Sequence, residues 1–254
     1  MKILSNIEII DLALYFNSTL VIADVHIGYE EALNKQGILV PRLQFGEMVK
    51  RMNNIFGILK NKRINTIIVN GDLKHEFGTI SEQEWRNTLK FLDLLAKHCD
   101  EIVLIRGNHD TILGPIARKR NVQILDYYII KPNKVIMAHG DKILPKDILK
   151  DASTIIIGHE HPAVSLKESH RVEQFKCFLK GKYKGKDLIV QPSFNGIVEG
   201  TDLLRDKILS PFLRQKLDDF DVYVIEDKVY KFGKLRNLKD KCKDFKNLII
   251  SNLQ

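Results

Sequence analysis

Five short stretches of the chain share one pattern of apolar and polar positions. They read TLVIAD (19–24), NTIIVNGD (65–72), EIVLIRGNHD (101–110), KVIMAHGD (134–141) and TIIIGHEH (154–161). Each is a run of Val, Ile and Leu without polar alternation, the mark of a strand buried on both faces. Each then breaks abruptly into polar residues, usually beside a glycine. Between these runs the apolar period lengthens to that of helices. Tyr29 to Gln36 is one such stretch. Pro41 to Lys60 is another, with Leu43, Met48, Met52, Ile55 and Leu59 near helical spacing and Pro41 suited to a helix start. Ser81 to Lys97 opens with Ser81 and Glu84 at capping-box spacing. Its Trp85, Leu89, Leu92 and Leu95 make a stripe that belongs to the core.

After Pro162 the pattern changes. VEQFKCFLK, KDLIVQ, DVYVIED and KVYKFG read as short strands, and KGKYKGK between the first two reads as a basic hairpin tip. The segment 234–254 is basic until Leu248, Ile249 and Ile250, which predicts a docked C-terminal helix. A length of 254 residues allows one large domain or two small ones. With neither a repeat nor a flexible linker, one α/β domain spanning 1–254, two packed sheets flanked by helices, is the simplest architecture.

Composition narrows the class. Hydrophobic residues make up 44% of the chain, enough for a full-sized core. Cys99, Cys177 and Cys242 are odd in number and widely spaced, which argues against a disulfide framework or thiolate metal site and fits the cytoplasm. Asn6, Glu8 and Asp11 interrupt the N-terminal apolar residues, so no signal-peptide core is seen. No apolar run approaches the roughly 20 residues that span a bilayer, and no membrane association is expected. The net charge of +8 suits a polyanionic partner such as nucleic acid, and equally a Lys-rich solvated surface.

The chemistry gathers where the buried strands end. In open α/β sheets, ligands bind beyond the carboxyl ends of strands. The five breaks present Asp24 and His26, Asp72, Asn108 with His109 and Asp110, His139, and His159 with His161. Five of the eight histidines fall there, which scattering would rarely produce. Carboxylate, imidazole and amide oxygen together suit Mn, Fe or Zn. Asp72, central in chain order, could bridge two cations.

The series AspValHis, GlyAsp, GlyAsnHisAsp, HisGlyAsp and GlyHisGluHis resembles the calcineurin-like metallophosphoesterase superfamily from Asp24 to His161. GlyAspLeuLysHis (71–75) more narrowly resembles the SbcD-type DNA nucleases and their smaller relatives. The resemblance implies a four-layer fold, two mixed β-sheets sandwiched between helical layers. It also implies two divalent metal ions, Mn first among Mn, Fe, Zn and Ni. By resemblance Asp24, His26 and His161 bind one metal, Asn108, His139 and His159 the other, and Asp72 bridges. His109 would be catalytic and Asp110 would orient it. Two cations held there would lower the pKa of a shared water, and the resulting hydroxide would attack phosphorus in line with the leaving group. His109 would then stabilise the developing charge or protonate the leaving oxygen.

Other residues admit two readings. His75 either lines the site or caps the loop after Asp72, and Arg106 either meets phosphate or forms a salt bridge. His98 and His170 read as structural and solvated, Asp141 as a turn residue, and Asn195 as a residue on a loop that could approach the site. Lys180, Lys182, Lys184 and Lys186, with Tyr183 among them, and the basic cluster Lys234, Arg236, Lys239, Lys241, Lys243 and Lys246 read either as contacts for nucleic-acid phosphate or as solvated charge runs. The stretch from Pro162 to Gln254 is expected to go largely into finishing the second sheet and not into an SbcD-type capping domain, which puts double-strand end processing in doubt. A phosphodiesterase or nuclease acting on DNA or RNA is the first expectation. A small-molecule phosphodiesterase or phosphatase is the second, and a non-catalytic scaffold the third. A homodimer and a DNA-repair partner protein are compatible with the resemblance.

Overall fold

The chain opens with an antiparallel meander of four strands: β1 (Lys2–Leu4), β2 (Ile7–Ile10), β3 (Ala13–Phe16) and β4 (Thr19–Ile22). The fold is that of a computed structural model, which describes residues 1–76, 81–110, 113–120, 122–131, 134–168, 171–198 and 200–240. From β4 the sheet continues in parallel. After α1 (Tyr29–Lys35) and α2 (Gln44–Ile58) comes β5 (Thr66–Asn70), then α3 (Glu82–Ala96), β6 (Glu101–Ile105), α4 (Gly114–Arg120) and β7 (Gln123–Leu125). The seven strands lie in chain order.

The second sheet begins at β8 (Tyr127–Ile130) and β9 (Val135–Ala138), followed by α5 (Lys146–Lys150) and β10 (Thr154–Ile157). Next come β11 (Pro162–Glu168), the long β12 (Arg171–Tyr183), β13 (Lys186–Val190) and β14 (Thr201–Asp202). A 3-10 turn at Pro211–Leu213 precedes β15 (Asp221–Ile225), β16 (Val229–Lys234) and α6 (Leu235–Asp240). Its order is β14-β11-β12-β13-β10-β9-β8, with β15 also on β12 and β16 on β15. Strands β9, β10 and β13 are mutually parallel; β8, β12 and β15 join antiparallel, so this sheet is mixed too.

Alternation along the second sheet shows how the layers stack. Val135, Met137, Ile156 and Ile189 join the core shared with Leu20, Ile22, Ile67 and Val69 of the first sheet. Their neighbours Ile136, Ala138, Ile155, Leu188 and Val190 face a separate cluster with Leu149, Phe212, Leu235 and Leu238. Successive side chains point to opposite faces, so both faces are covered. That is why these strands carry no polar alternation. The architecture is two mixed sheets packed face to face and flanked by helices.

Local elements differ from expectation in informative ways. The second helix starts at Gln44, not Pro41, because residues 41–43 make a tight turn and the buried Glu30 carboxylate accepts the Gln44 N–H at 2.9 Å. Ser81 caps α3 by accepting the Glu84 N–H at 3.1 Å, as its spacing predicts. Glu84 does not complete a capping box; its side chain turns inward to the site. The apolar end of the expected C-terminal helix, with His170, lies outside the described residues. No helix among the described residues is long and apolar enough to cross a membrane.

Candidate metal centre

The carboxyl ends of β4, β5 and β6 meet those of β9 and β10 across the sandwich. Beyond the strand ends, the first two loops stay paired: Asp24 N–H donates to the Gly71 carbonyl, His26 N–H to Asp72 and His75 N–H to Ile27. This continuation of the β4–β5 ladder brings Asp24 and His26 alongside Asp72. Five candidate ligands have left-handed backbones: Asp24 (φ 54°), His26 (46°), Asp72 (45°), His159 (63°) and His161 (47°). A non-glycine residue there is uncommon, and such strain clusters at sites where surrounding structure over-determines the geometry. Glycines in the motifs serve close approach. A Cβ on Gly71 would overlap the His139 ring, one on Gly107 the Asp72 carboxylate, and one on Gly158 would lie 2.5 Å from Asp24 Oδ2.

The ligand atoms form two sets. In the first, Asp24 Oδ1 lies 3.5 Å from His161 Nε2, and His26 Nε2 lies 3.3 Å from the same nitrogen. In the second, His139 Nε2 lies 2.8 Å from Asn108 Oδ1, 3.1 Å from His159 Nδ1 and 3.3 Å from Asp72 Oδ2. Asp72 Oδ2 also lies 3.8 Å from His26 Nε2, so this one oxygen touches both sets. Its other oxygen accepts the His109 N–H at 2.8 Å. All seven residues predicted as ligands are therefore brought together.

The donor chemistry fits divalent cations. Asp24 is fully buried and its Oδ1 has no hydrogen-bond partner among the described residues. Imidazole nitrogens facing each other at 3.1–3.3 Å leave lone pairs that a shared cation would satisfy. Burial tends to lower the pKa of His139, but its hydrogen bond to Asp72 and the charges of Asp24 and Asp72 outweigh this and raise it to about 9. Burial would raise the pKa of Asp72; the His139 hydrogen bond and the surrounding imidazoles instead hold it below the usual carboxylate range. Burial, reinforced by His161, pushes His26 well below the ordinary histidine value.

His109 stands beside these sets, its ring edge-on to His26 with centroids 4.9 Å apart. Its Nδ1 is 2.5 Å from the His75 carbonyl oxygen, which can only accept, so Nδ1 carries the hydrogen. Asp110, expected to orient this ring, meets main-chain groups among the described residues. Its carboxylate accepts N–H groups from Gly107 (3.1 Å), Leu73 (3.3 Å) and Lys74 (3.4 Å), holding two loops together, while the His75 carbonyl fixes the ring. Burial and the Asp72 charge push the Asp110 pKa up to about 6. Of the two readings of His75, the structure favours lining: its ring stacks on His109 (5.1 Å, 26°) and its Nδ1 is 3.4 Å from His26 Nδ1. Burial, then the charge of His109, lowers its pKa to about 4.

Several supporting residues carried little signal in the sequence. The loop after β13 wraps the Asp24–His26 segment. Ser193 Oγ donates to the Asp24 carbonyl at 2.7 Å, and Asn195 Nδ2 donates to those of Val25 and His26, both at 3.2 Å. Glu160, fully buried between His159 and His161, accepts the N–H groups of Leu209 and Ser210, and Ser210 Oγ donates to the Gly140 carbonyl. Only their adjacency to motif residues, or a Pro-Ser-x-Asn turn, marked them. Other candidates lie apart. Arg106 meets Asp126 at 3.9 Å on the surface, and His98 stacks on Phe56. Because Val190 is level with Ile157 at the metal end, the hairpin turn at Lys184–Gly185 lies about 13 Å away at the opposite pole. There Lys182 pairs with Asp187 at 3.0 Å, and Lys186 donates to the carbonyls of Lys150 and Ala152.

Over residues 18–200 the chain matches the family model of the calcineurin-like phosphoesterases. Among solved structures it resembles nuclease MPE of Pseudomonas putida at 18% identity and a TM-score of 0.61, covering 89% of this chain and 100% of that one. It is less similar to Yfce, a phosphoesterase from E. coli, at 11% identity and a TM-score of 0.39, over 85% of this chain and 92% of that one. No curated protein sequence matched. At such identities the first likeness concerns the fold, and the family rests on the matched model. With that match spanning most of its length and both ligand sets in place, the chain belongs to the calcineurin-like phosphoesterase family, whose members are divalent-metal-dependent hydrolases.

Proposed function

We propose that this protein is a Mn-dependent phosphodiesterase acting on DNA or RNA. The observation that carries the reading is Asp72 Oδ2 in contact with both ligand sets, with His109 placed beside them. Two divalent cations held there would activate water and neutralise phosphoryl oxygens. Asp24, His26 and His161 would hold one, Asn108, His139 and His159 the other, and Asp72 both. His109, its Nδ1–H committed to the His75 carbonyl, would present Nε2 to the leaving oxygen and deliver a proton there. Asp110 would keep the two loops at fixed separation.

A phosphodiester of nucleic acid is favoured by the net charge of +8 and by the likeness to a protein described as a nuclease. A small phosphodiester is the second reading, favoured by the basic hairpin lying at the far pole and pairing with Asp187. The test is Mn-supported hydrolysis of bis-4-nitrophenyl phosphate by the wild type, His109→Ala and Asp72→Ala, followed by labelled single- and double-stranded DNA and RNA. Loss on every substrate in Asp72→Ala, and loss on nucleic acid in His109→Ala, with nucleic acid cleaved by the wild type, supports the first reading. Rapid hydrolysis of small diesters with intact nucleic acid supports the second. No hydrolysis with bound Mn, Fe, Zn or Ni would overturn both.

A further inference from the structure

Lys74 is 0% exposed, one of the largest fully buried side chains of the molecule, and lies directly behind the metal loops. A lysine is almost never buried completely unless its ammonium is matched to specific acceptors. Here Nζ donates to the backbone carbonyl of His109 at 2.7 Å and to that of Glu76. Its own backbone N–H goes to Asp110 Oδ1. Glu84, also buried, accepts the N–H groups of His75 and Glu76 at 2.9 and 3.1 Å, and the Lys74 charge acts on it.

The consequence for His109 follows from its anchors. Its N–H is held by Asp72 Oδ1, its carbonyl by Lys74 Nζ, and its ring by the His75 carbonyl. The His75 carbonyl belongs to the loop that Lys74 and Glu84 grip through residues 75 and 76. Lys74 thus meets both the main chain of His109 and the loop that orients its imidazole. An apolar side chain of the same length would fill the space but remove the Lys74 donor from both carbonyls.

We propose that Lys74 is a positioning residue for His109: its buried ammonium ties residue 109 to the loop at residues 75–76, setting where the imidazole stands relative to the leaving oxygen. The proposal rests on the phosphodiesterase reading, with His109 as proton donor. Protonation matters most when the leaving group is a poor one. An alkoxide needs the proton, whereas 4-nitrophenolate departs nearly as well without it.

The experiment uses the Mn-loaded full chain and two substrates, bis-4-nitrophenyl phosphate and a dinucleoside phosphate whose leaving group is a sugar hydroxyl. Lys74→Met should lower kcat/KM on the dinucleoside by about 100-fold, in the range a general acid contributes, with only a small change on the nitrophenyl ester. It should cost nothing further in a His109→Ala background, because the two act as a unit. Lys74→Arg should restore part of the activity. In the metal-free protein, Lys74→Met should move the imidazole NMR signals of His109 and His75 and leave those of His139 and His159 in place. Equal losses on both substrates, additivity with His109→Ala, or unmoved His109 signals would each overturn the proposal. So would failure of both Lys74→Met and Lys74→Gln to fold, since Lys74 would then serve the fold at large. If His109→Ala itself shows no leaving-group dependence, the proton-donor reading has failed instead, and the NMR signals alone decide whether Lys74 positions the ring.

Discussion

Replacing Asn195 by Ala tests how far the metal loop depends on a loop from the other sheet. The side chain is fully buried; its Nδ2 donates to the carbonyls of Val25 and His26, and its Oδ1 accepts the Ile197 N–H at 2.9 Å. The His26 carbonyl keeps a second donor, Gln44 Nε2 at 3.2 Å, so it loses a bond without being orphaned. The Val25 carbonyl and the Ile197 N–H lose the bonds that Asn195 supplies. A net bond is worth about 1 kcal/mol and a buried group left unsatisfied costs about 1–3 kcal/mol, so the sum is about 3 kcal/mol. At roughly 2–4 °C per kcal/mol for a chain of this size, the metal-free protein should melt about 6–12 °C lower. The loop being loosened carries Asp24 and His26, so affinity at that metal set should fall about 10–100-fold, as for outer residues that orient ligands. Thermal melts in chelator, then across a Mn titration, read both effects. A chelator melt within about 2 °C of wild type, the range of an ordinary surface substitution, with an unchanged Mn response would refute the reasoning.

Three further outcomes follow from the geometry. Gly107→Ala forces a methyl into the Asp72 carboxylate, and a displacement of the bridging group should cost about 100-fold in kcat/KM; Gly57→Ala, with nothing within 4 Å, should be harmless. Unaltered kinetics in the first variant would mean the loop yields freely. Because His139 titrates near 9 in the metal-free fold against about 6.5 unfolded, its contribution to metal-free stability is complete below pH 6.5 and lost as pH rises through 9. Metal needs the neutral ring, so binding should release a proton and tighten as pH rises towards 9. Mn titration calorimetry in two buffers of different ionisation heat checks this, and a buffer-independent heat would count against it. Lys182→Ala with Lys184→Ala, at the far pole, should leave nucleic-acid cleavage and its salt dependence unchanged; a shallower salt slope would show that these lysines meet phosphate.

The part of this fold legible in the chain alone is the part written in local pattern. Unbroken Val and Ile runs specify strands buried on both faces, and the polar residues ending each run must then lie at the carboxyl edge. That sufficed to gather Asp24, His26, Asp72, Asn108, His109, His139, His159 and His161 before any contact was known. Strands β1, β2 and β3, with β7, β8, β11 and β14, were not read; most are short, and such strands take their pairing from neighbours, not from a period of their own. Tertiary structure alone decided which group fixes the His109 ring, because the His75 carbonyl is a main-chain atom that no residue letter distinguishes. It also turned Glu84 from a helix cap into an inward anchor, and placed the basic hairpin at the pole away from the metals. Lys74, Glu160 and Asn195 look like ordinary polar residues in the chain. Their meaning comes from burial, where a polar side chain must find partners, and those partners are backbone groups far away in sequence.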